Sequence, residues 1–285
     1  MRIMVTGAAG LIGSGIAALL RQQHEVVGVD LRSGPEVSHL IDICDRAALK
    51  TLIRGTDAIV HVAALHAPHV GRIADAEFLR INVDGTQALL DLALSAGAQR
   101  FVLTSSTSVY GHALEPSNEA VWIDESVTPS PRDVYDRTKL QAETLVRSAS
   151  GAGLETAILR ISRCFPEPVR DMTFYRLHRG IDRRDVAHAH ALALEAASAS
   201  AEIYVISAAP PFTRKDCKAL LENAPRLIAE RLPQLAERFD RLGWDLPSSI
   251  GRVYSPAKAL AGLGFAPRFG VEAVLDGDCD PRPLG

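Results

Sequence analysis

Aromatic side chains are scarce in this chain of 285 residues, where Phe, Trp and Tyr together make up 5%. So few rings argue against an extended groove in which sugars stack on aromatic faces. Cysteine is scarce as well, and its four positions form no close pair: Cys44, Cys164, Cys217 and Cys279. The sequence therefore predicts neither a disulfide framework nor a Cys-x-x-Cys zinc site, and we expect no bound metal.

Long apolar runs and an excess of one charge are also absent. No uncharged run approaches the length that spans a bilayer, so we expect no membrane partner. The 31 basic and 34 acidic side chains give a formal net charge of -3, which offers no electrostatic reason to expect a nucleic-acid partner. The N-terminal segment reaches Gly7 too early for a signal peptide. We therefore expect a cytoplasmic protein.

The hydrophobic residues, 47% of the chain, form short apolar runs that alternate with longer helical patterns. Strands are predicted at residues 3–5, 25–30, 58–61, 100–105, 155–160 and 203–207. Helices are predicted at residues 11–21, 46–53, 76–96, 134–150 and 185–197, with two more in residues 213–241 near Pro225 and Pro233. Fully apolar strands separated by amphipathic helices are typical of a parallel sheet covered on both faces. The alternation therefore predicts an α/β protein with a Rossmann-type doubly wound parallel sheet.

A glycine-rich turn directly follows the first predicted strand and opens a helix. Its residues are Gly7-Ala8-Ala9-Gly10-Leu11-Ile12-Gly13. Such a turn lets backbone N–H groups approach a pyrophosphate at a helix N-terminus, while Gly13 permits close packing of the helix. A tight turn without a ligand is the alternative interpretation. The place of the glycine-rich turn in the first strand–helix unit favours a dinucleotide cofactor over this alternative.

The end of the second predicted strand bears on the choice of cofactor. Asp30 can accept hydrogen bonds from the adenosine ribose and would repel a 2′-phosphate, so NAD is favoured over NADP. Leu31 follows it, and Arg32 is a complication because an arginine there can pair with that phosphate. We therefore predict residues 1–160 to be an NAD-binding Rossmann core.

The remaining residues, 161–285, form a mixed region in this prediction. Residues 185–207 return to the core through a helix and a strand. Residues 161–184 are rich in proline, arginine and aromatic side chains and are predicted to be loop. Together with residues 208–285 they would form a small C-terminal substrate lobe.

A tyrosine and a lysine four residues apart suggest proton-transfer chemistry. On a helix, Tyr135 and Lys139 share one face. A lysine ammonium beside a phenol favours the phenolate, which would lower the tyrosine pKa toward the range of a general base. Hydroxyl-bearing residues cluster at the end of the fourth long strand, where ligands bind in parallel sheets, and Ser106 lies among them. An ordinary surface pair and a serine-rich capping loop are the alternatives.

These elements together resemble the extended short-chain dehydrogenase/reductase family, which contains the nucleotide-sugar epimerases and dehydratases. The resemblance implies Ser106, Tyr135 and Lys139 as catalytic residues. The cofactor-binding residues implied by the turn and the resemblance together are Gly7, Ala9, Gly10, Leu11, Ile12, Gly13, Asp30, Leu31, Arg32, Asp42, Ile43, Val62, Ala63, Ala64, Asn82, Thr104, Tyr135 and Lys139. The candidate substrate-binding residues are Leu65, His66, Ser106, Thr107, Ser108, Arg163 and Arg170.

One segment departs from the pattern of the nucleotide-sugar epimerases. Arg163 stands where those enzymes usually carry an asparagine that helps to hold the substrate diphosphate. The stretch around Cys164 instead resembles uronate dehydrogenases, which oxidise a free sugar acid with NAD. Arg170 and Arg176 are possible stand-ins for the carboxylate-binding arginine of those enzymes, but neither is cleanly in register.

The resemblance therefore implies an NAD-dependent oxidoreductase/epimerase that acts on a secondary hydroxyl of a sugar or nucleotide-sugar, closest overall to a nucleotide-sugar 4-epimerase. A net NAD-dependent dehydrogenase of a free sugar or uronic acid is one alternative. A non-catalytic NAD-binding redox sensor is another, although such proteins often lose the tyrosine–lysine pair. The family commonly forms homodimers through two long helices, which here would be residues 76–96 and 134–150.

Overall fold

The computed structural model describes residues 1–198 and 200–278. Nine strands are present in these ranges. They are β1 (Arg2–Thr6), β2 (Glu25–Asp30), β3 (His39–Leu40), β4 (Ala58–His61), β5 (Arg100–Ser106), β6 (Val121–Ile123), β7 (Glu155–Ile161), β8 (Glu202–Ile206) and β9 (Arg252–Tyr254). Seven of them form one parallel sheet in the order β3-β2-β1-β4-β5-β7-β8, and β6 pairs with β9 in a second, two-stranded sheet. The predicted doubly wound parallel sheet is confirmed.

Eleven helices are present in the described ranges. They are α1 (Leu11–Leu20), α2 (Arg46–Leu52), α3 (Asp75–Phe78), α4 (Gly85–Ala96), α5 (Val134–Ser150), α6 (Val169–His178), α7 (Arg183–Ala196), α8 (Cys217–Arg231), α9 (Pro233–Arg241), α10 (Ala257–Leu263) and α11 (Val271–Leu275). Short 3-10 turns lie at Ala67–His69, Thr107–Leu114 and Arg214–Asp216. None of these helices is long and apolar enough to cross a bilayer.

Both faces of the large sheet are covered by apolar packing, because successive side chains of a strand point to opposite faces. On one face Ile3 and Val5 of β1 belong to a buried cluster that includes residues of α1, α7 and α10. On the other face Met4 of the same strand packs with residues of α2, α4 and α5. Because the seven strands between these two clusters are parallel, their carboxyl ends all lie at one edge of the sheet.

A third apolar cluster lies among the elements that follow the sheet. It joins residues of α6, α8, α9 and β9, with Phe239 fully buried near its centre. The two predicted helices in residues 213–241 are confirmed, with α9 beginning at Pro233 and α8 bending at Asn223 just before Pro225. The division of the chain at residue 160 into a core and a lobe stays a prediction, and part of that lobe, including Cys279, lies outside the described residues.

Two sequence predictions of local structure are wrong. Residues 161–184 were expected to be loop, but α6 begins directly after Pro168 and runs for ten residues. The helix predicted over residues 76–96 is interrupted by a π-helical turn, Leu79–Asp84. A π turn adds one residue to the helical repeat and is frequent at functional sites.

The outer edge of the sheet is protected at β8. The Glu125 carboxylate accepts a hydrogen bond from the backbone N–H of Val205 at 2.6 Å. Lys258 pairs with Glu202 at 2.6 Å near the start of the same strand. The opposite edge is β3, which is only two residues long.

Candidate active site

The glycine-rich turn follows β1 at the carboxyl edge of the sheet. The strand order reverses between β1 and β4, so the turn lies where the sheet extends in opposite directions. Gly7 has φ of +73°, and a Cβ placed there would lie 2.8 Å from the backbone nitrogen of Ala63. A Cβ at Gly13 would lie 2.0 Å from the carbonyl oxygen of Gly7. Helix α1 thus packs as closely on the turn as the sequence predicts. The absence of side chains here fits a cradle for a pyrophosphate.

Asp30 connects the end of β2 to this turn. Its carboxylate accepts hydrogen bonds from the backbone N–H groups of Ala9 and Arg32, both at 2.9 Å. The Arg32 side chain is exposed, and its Nε lies 4.0 Å from Asp30. Leu31 between them is exposed as well. The carboxylate therefore fixes the turn, and the neighbouring side chains point into solvent.

Asp42 and Ile43 are held by different forces. Asp42 accepts a hydrogen bond from the Cys44 N–H at 2.9 Å and forms an ion pair with Arg80 at 3.0 Å. Ile43 is buried and packs against Gly85, where a Cβ would lie 2.8 Å from its Cδ1. The start of α4 is thereby pressed against this loop.

A buried chain of hydrogen bonds runs through the end of β4. Thr6 Oγ1 accepts hydrogen bonds from the N–H groups of Val62 and Ala63 and lies 2.7 Å from His61 Nδ1. Thr86 Oγ1 donates to the Asn82 carbonyl and lies 3.0 Å from His61 Nε2. Thr86 must therefore accept its bond from Nε2–H, which leaves Nδ1 to accept from Thr6. Burial, helped by the charge of Lys139, lowers the pKa of His61 to about 3, so this ring is neutral.

Asn82 lies in the π-helical turn and holds the loop that follows β4. Its Oδ1 accepts from the Leu65 N–H at 2.8 Å, and its Nδ2 donates to the Leu65 carbonyl at 2.9 Å. The same Nδ2 donates to Thr138 Oγ1 at 3.0 Å. Thr138 lies on α5, between the tyrosine and the lysine. Asn82 thus fixes the loop of Val62–Leu65 relative to the helix of the candidate catalytic pair.

Ser106, Tyr135 and Lys139 meet at the same edge of the sheet. Ser106 ends β5, and its Oγ accepts from the Ser108 N–H at 3.1 Å. Tyr135 lies in the first turn of α5, and Lys139 follows one turn later. Both are buried, and the Ser106 and Ser108 hydroxyls lie close enough to the Tyr135 phenol to influence its ionisation.

The direction of the tyrosine pKa shift differs from the prediction. Burial raises the pKa of Tyr135 to about 12, with the nearby hydroxyls of Ser106 and Ser108 acting in the opposite direction. Burial likewise lowers the pKa of Lys139 to about 8, although Glu143 partly offsets this. The prediction considered only the lysine charge, whereas both groups are removed from water and desolvation penalises both charged forms.

Two predicted site hydroxyls are engaged in structural bonds. Thr104 Oγ1 lies 2.8 Å from His190 Nε2, and His190 Nδ1 donates to the Val186 carbonyl, so Thr104 is the donor of its own bond. Thr107 Oγ1 donates to the Ile161 carbonyl at 3.3 Å. Both threonines are buried.

The substrate side of the cleft is bounded by the loops after β4 and β7. The ring of His66 lies 6.4 Å from that of Phe165, so the two loops face each other. Arg163 forms an ion pair with Glu167 and packs over the Tyr175 ring at 4.6 Å. Arg170 is exposed and packs over Phe174, a residue of its own helix. The structure does not bring these two arginines to one point.

Two other arginines form a cationic cluster that the sequence did not single out as a pair. Arg179 follows α6 and packs over Tyr175 at 4.4 Å, and Arg252 on β9 lies close enough to lower its pKa further below the value set by burial. Within residues 1–198 and 200–278, neither has a carboxylate at ion-pair distance. Arg176, by contrast, pairs with Asp182 at 3.3 Å. Arg252 carries no local sequence signal, because the pairing of β9 with β6 determines its position.

The expectation of no bound metal stays a prediction. His69 Nδ1 accepts from the His66 N–H at 3.1 Å, so these two residues brace their own loop. No group of three His, Cys, Asp or Glu side chains in the described part of the chain is arranged to hold an ion. Cys164 is buried, and burial raises the pKa of its thiol to about 12, so the thiol stays protonated near neutral pH and is a poor nucleophile.

The parallel sheet, the glycine cradle and the tyrosine–lysine helix define a Rossmann-type oxidoreductase site. A family model described as the NAD dependent epimerase/dehydratase family matches residues 3–176. The chain belongs to this family and is an enzyme of this class, and the predicted resemblance to extended short-chain dehydrogenases/reductases is confirmed. The predicted cofactor, NAD, is the one that the family description names.

Individual relatives differ in their chemistry. UDP-glucuronic acid decarboxylase 1 of Arabidopsis thaliana is 34% identical over 173 residues, which cover 56% of this chain and 39% of that protein. A 3 beta-hydroxysteroid dehydrogenase/Delta 5→4-isomerase of Mycobacterium tuberculosis is 28% identical over 341 aligned positions, covering 98% of this chain and 90% of that one. A short-chain dehydrogenase/reductase superfamily protein from Agrobacterium tumefaciens with bound NAD superposes with a TM-score of 0.74 at 23% identity, covering 97% and 95% of the two chains. This last likeness shows the fold.

Proposed function

We propose that the chain is an NAD-dependent oxidoreductase/epimerase that removes a hydride from a secondary alcohol of a sugar or nucleotide-sugar. The observation that carries the proposal is the meeting of Ser106, Tyr135 and Lys139 beside the glycine-rich turn. A binding protein has no need of a buried phenol next to a buried amine and a hydroxyl. This arrangement argues against the alternative of a non-catalytic redox sensor.

In the proposed reaction Tyr135 accepts the proton of the substrate hydroxyl, and Ser106 holds the same oxygen by a hydrogen bond. Bound NAD supplies the acceptor for the hydride that leaves the adjacent carbon. Lys139 would hold the nicotinamide ribose and stabilise the phenolate of Tyr135. Because the pKa of Tyr135 is raised to about 12, this residue needs such positive charge before it can act as a base near neutral pH.

The glycine-rich turn would bind the pyrophosphate, and Asp30 would bind the adenosine ribose. Asp42 and Ile43 would border the adenine, and Val62, Ala63 and Ala64 the nicotinamide. Exposed Arg32 leaves NADP as a competing cofactor. A comparison of the two dissociation constants decides this point, and we expect NAD to bind at least tenfold more tightly.

The cationic cluster favours a substrate that carries an anionic group. Among residues 1–198 and 200–278, no carboxylate lies at ion-pair distance from Arg179 or Arg252, so a diphosphate or a carboxylate would satisfy them. Neutral steroids offer no such group. A nucleotide-sugar epimerase remains our first proposal, and net oxidation of a free sugar acid is the second. Arg163 does not decide between them, because its charge is already neutralised by Glu167.

The test is to follow NADH formation at 340 nm with excess NAD and separate panels of uronates, free sugars and UDP- or GDP-sugars. Steady NADH formation would establish net dehydrogenation, and a flat trace with a new sugar isomer in the same tube would establish epimerisation. Binding of NAD without turnover of any panel member would contradict the proposal and favour the redox sensor. Tyr135→Phe should abolish turnover and retain NAD binding, and activity within a few-fold of wild type would refute the assigned base.

We also propose a homodimer formed through α3–α4 and α5, with the substrate bound between the core and the residues of the third apolar cluster. Light scattering on a sizing column measures the mass of the assembly. A monomer at micromolar concentration would refute this part of the proposal.

A further inference from the structure

One buried carboxylate next to the candidate catalytic lysine has no part in the proposed reaction. Glu143 follows Lys139 by one turn of α5, and both residues are less than 5% exposed. Residues four apart on a helix lie on the same face. A buried acid in this position places a fixed negative charge beside the lysine.

Three hydrogen bonds hold Glu143 in one place. Ser105 donates its hydroxyl to Oε1 at 2.6 Å. Arg160 donates Nε–H to Oε1 at 3.0 Å and Nη2–H to Oε2 at 2.7 Å. The guanidinium of Arg160 also lies 4.9 Å from the centre of the Tyr110 ring. A bidentate pair of this kind fixes the orientation of the carboxylate as well as its charge.

The cluster joins the elements that carry the catalytic residues. Ser105 immediately precedes Ser106 on β5, and Arg160 pairs with Ser105 in the register of β5 and β7. Glu143 lies on α5, as do Tyr135 and Lys139. A displacement of Glu143 would therefore change the position of the helix relative to the serine.

Two further titratable groups lie close to Lys139, and both are histidines. Burial lowers the pKa values of His61 on β4 and His66 in the following loop, and the charge of Lys139 contributes to both shifts. Both rings therefore favour the neutral form, and neither offsets the burial of the ammonium. Glu143 is the group that offsets the cost of burying the lysine. Without it, desolvation alone would act on the amine.

We propose that Glu143, clamped by Ser105 and Arg160, is a positioning residue that keeps Lys139 charged and fixes α5 against the end of β5. The inference rests on the proposed function for the role of Lys139 in binding the nicotinamide ribose and stabilising the phenolate. In this role Glu143 acts through Lys139 and contacts neither substrate nor cofactor itself.

The first experiment is a double-mutant cycle read by NAD affinity, which needs no substrate. The variants are Glu143→Gln, Lys139→Met and the two together, each compared with wild type by calorimetry at pH 7.5. We expect NAD binding to weaken about fivefold in Glu143→Gln and about tenfold in Lys139→Met, with the double variant within twofold of Lys139→Met. Multiplication of the two single effects would overturn the proposal, because Glu143 would then act independently of the lysine.

The second experiment uses the pH profile of kcat/KM with whichever compound the enzyme turns over. Wild-type activity should fall above about pH 8 as Lys139 loses its proton, and in Glu143→Gln this fall should come about one pH unit lower. Glu143→Asp should restore the wild-type position in part. A uniform loss at every pH with an unmoved limb would indicate a merely structural role and overturn the proposal.

The matched control is Glu155→Gln, which breaks the Arg100–Glu155 pair at the other end of the same two strands. We expect it to change neither NAD affinity nor the pH profile, and equal effects in both variants would refute a specific role for Glu143. Should Glu143→Gln not fold, Ser105→Ala removes one bond of the clamp and should produce the same changes at smaller size. A further outcome is that the double-mutant cycle shows coupling between Glu143 and Lys139 in NAD affinity while the enzyme turns over no compound. That result would refute the proposed function and would still support the positioning role of Glu143.

Discussion

Gly13 and Gly15 lie two residues apart in α1, yet substitution by alanine should affect them in opposite ways. A Cβ at Gly13 would come 2.0 Å from the Gly7 carbonyl oxygen and 2.7 Å from its carbon, both backbone atoms that cannot rotate away. Relief of this clash requires a shift of about 1 Å between α1 and the turn, and overpacking of this kind costs about 1–3 kcal/mol. At Gly15 a Cβ meets nothing within 4 Å.

We therefore expect Gly13→Ala to lower the melting temperature by roughly 2–12 °C, since 1 kcal/mol corresponds to about 2–4 °C in domains of about 150–250 residues. Gly15→Ala should raise the free energy of unfolding by about 0.4–1 kcal/mol, because alanine restricts the unfolded chain and favours a helix. The displaced turn should also lose one or two charge-assisted hydrogen bonds to the pyrophosphate, which corresponds to a loss of NAD affinity of about 10- to 100-fold.

Differential scanning calorimetry and NAD titration of the two variants form the assay, with Gly15→Ala as the control for mutation within the same helix. Wild-type stability and NAD affinity in Gly13→Ala would refute the steric argument. An equal loss of affinity in both variants would show that helix propensity, and not the close approach to Gly7, determines the effect.

The remaining predictions concern the loop after β4, acid stability and the cationic cluster. Asn82→Ala should cost about 1–3 kcal/mol, because it leaves the Leu65 N–H without a partner, and urea unfolding measures the loss; a cost below 0.5 kcal/mol would contradict the role of this bridge. His61 and His190 have pKa values lowered by burial to about 3 and about 4, so the folded state binds fewer protons than the unfolded state below pH 6.5. Stability should therefore fall from pH 7 to pH 5 by about 2 kcal/mol per histidine, and equal denaturation midpoints at the two pH values would refute this. Arg252→Gln should raise KM for an anionic substrate about tenfold or more and change NAD affinity less than twofold, whereas an unchanged KM would exclude the cluster from substrate binding.

Local pattern sufficed for the parts of the fold that depend on near neighbours in the chain. The strand of residues 58–61 and the helix of residues 134–150 were predicted with their observed bounds, because an apolar run and a 3.6-residue repeat each stand out locally. The close packing at Gly13 followed from the same glycine spacing that indicates the cofactor turn.

Features that depend on distant contacts were missed. The buried residues of α6 share one face of the helix, but Thr173 and Arg176 on that face are polar, so the segment shows no apolar stripe and its arginines suggested a loop. The raised pKa of Tyr135 depends on burial by several elements, whereas the spacing of Tyr135 and Lys139 reports only their shared helix face. The partner of Glu143 is Arg160 on β7, and no local pattern connects them.

The capped edge of the large sheet has a consequence for how copies of this chain can associate. An unpaired edge strand is a template on which a strand of another molecule can continue the sheet. At β8 the carboxylate of Glu125 already occupies the Val205 N–H, and at the other edge β3 offers only two residues. Edge-to-edge extension of the sheet into fibrils or strand-exchanged dimers is therefore disfavoured at both edges. We expect copies of the chain to contact each other through helical surfaces.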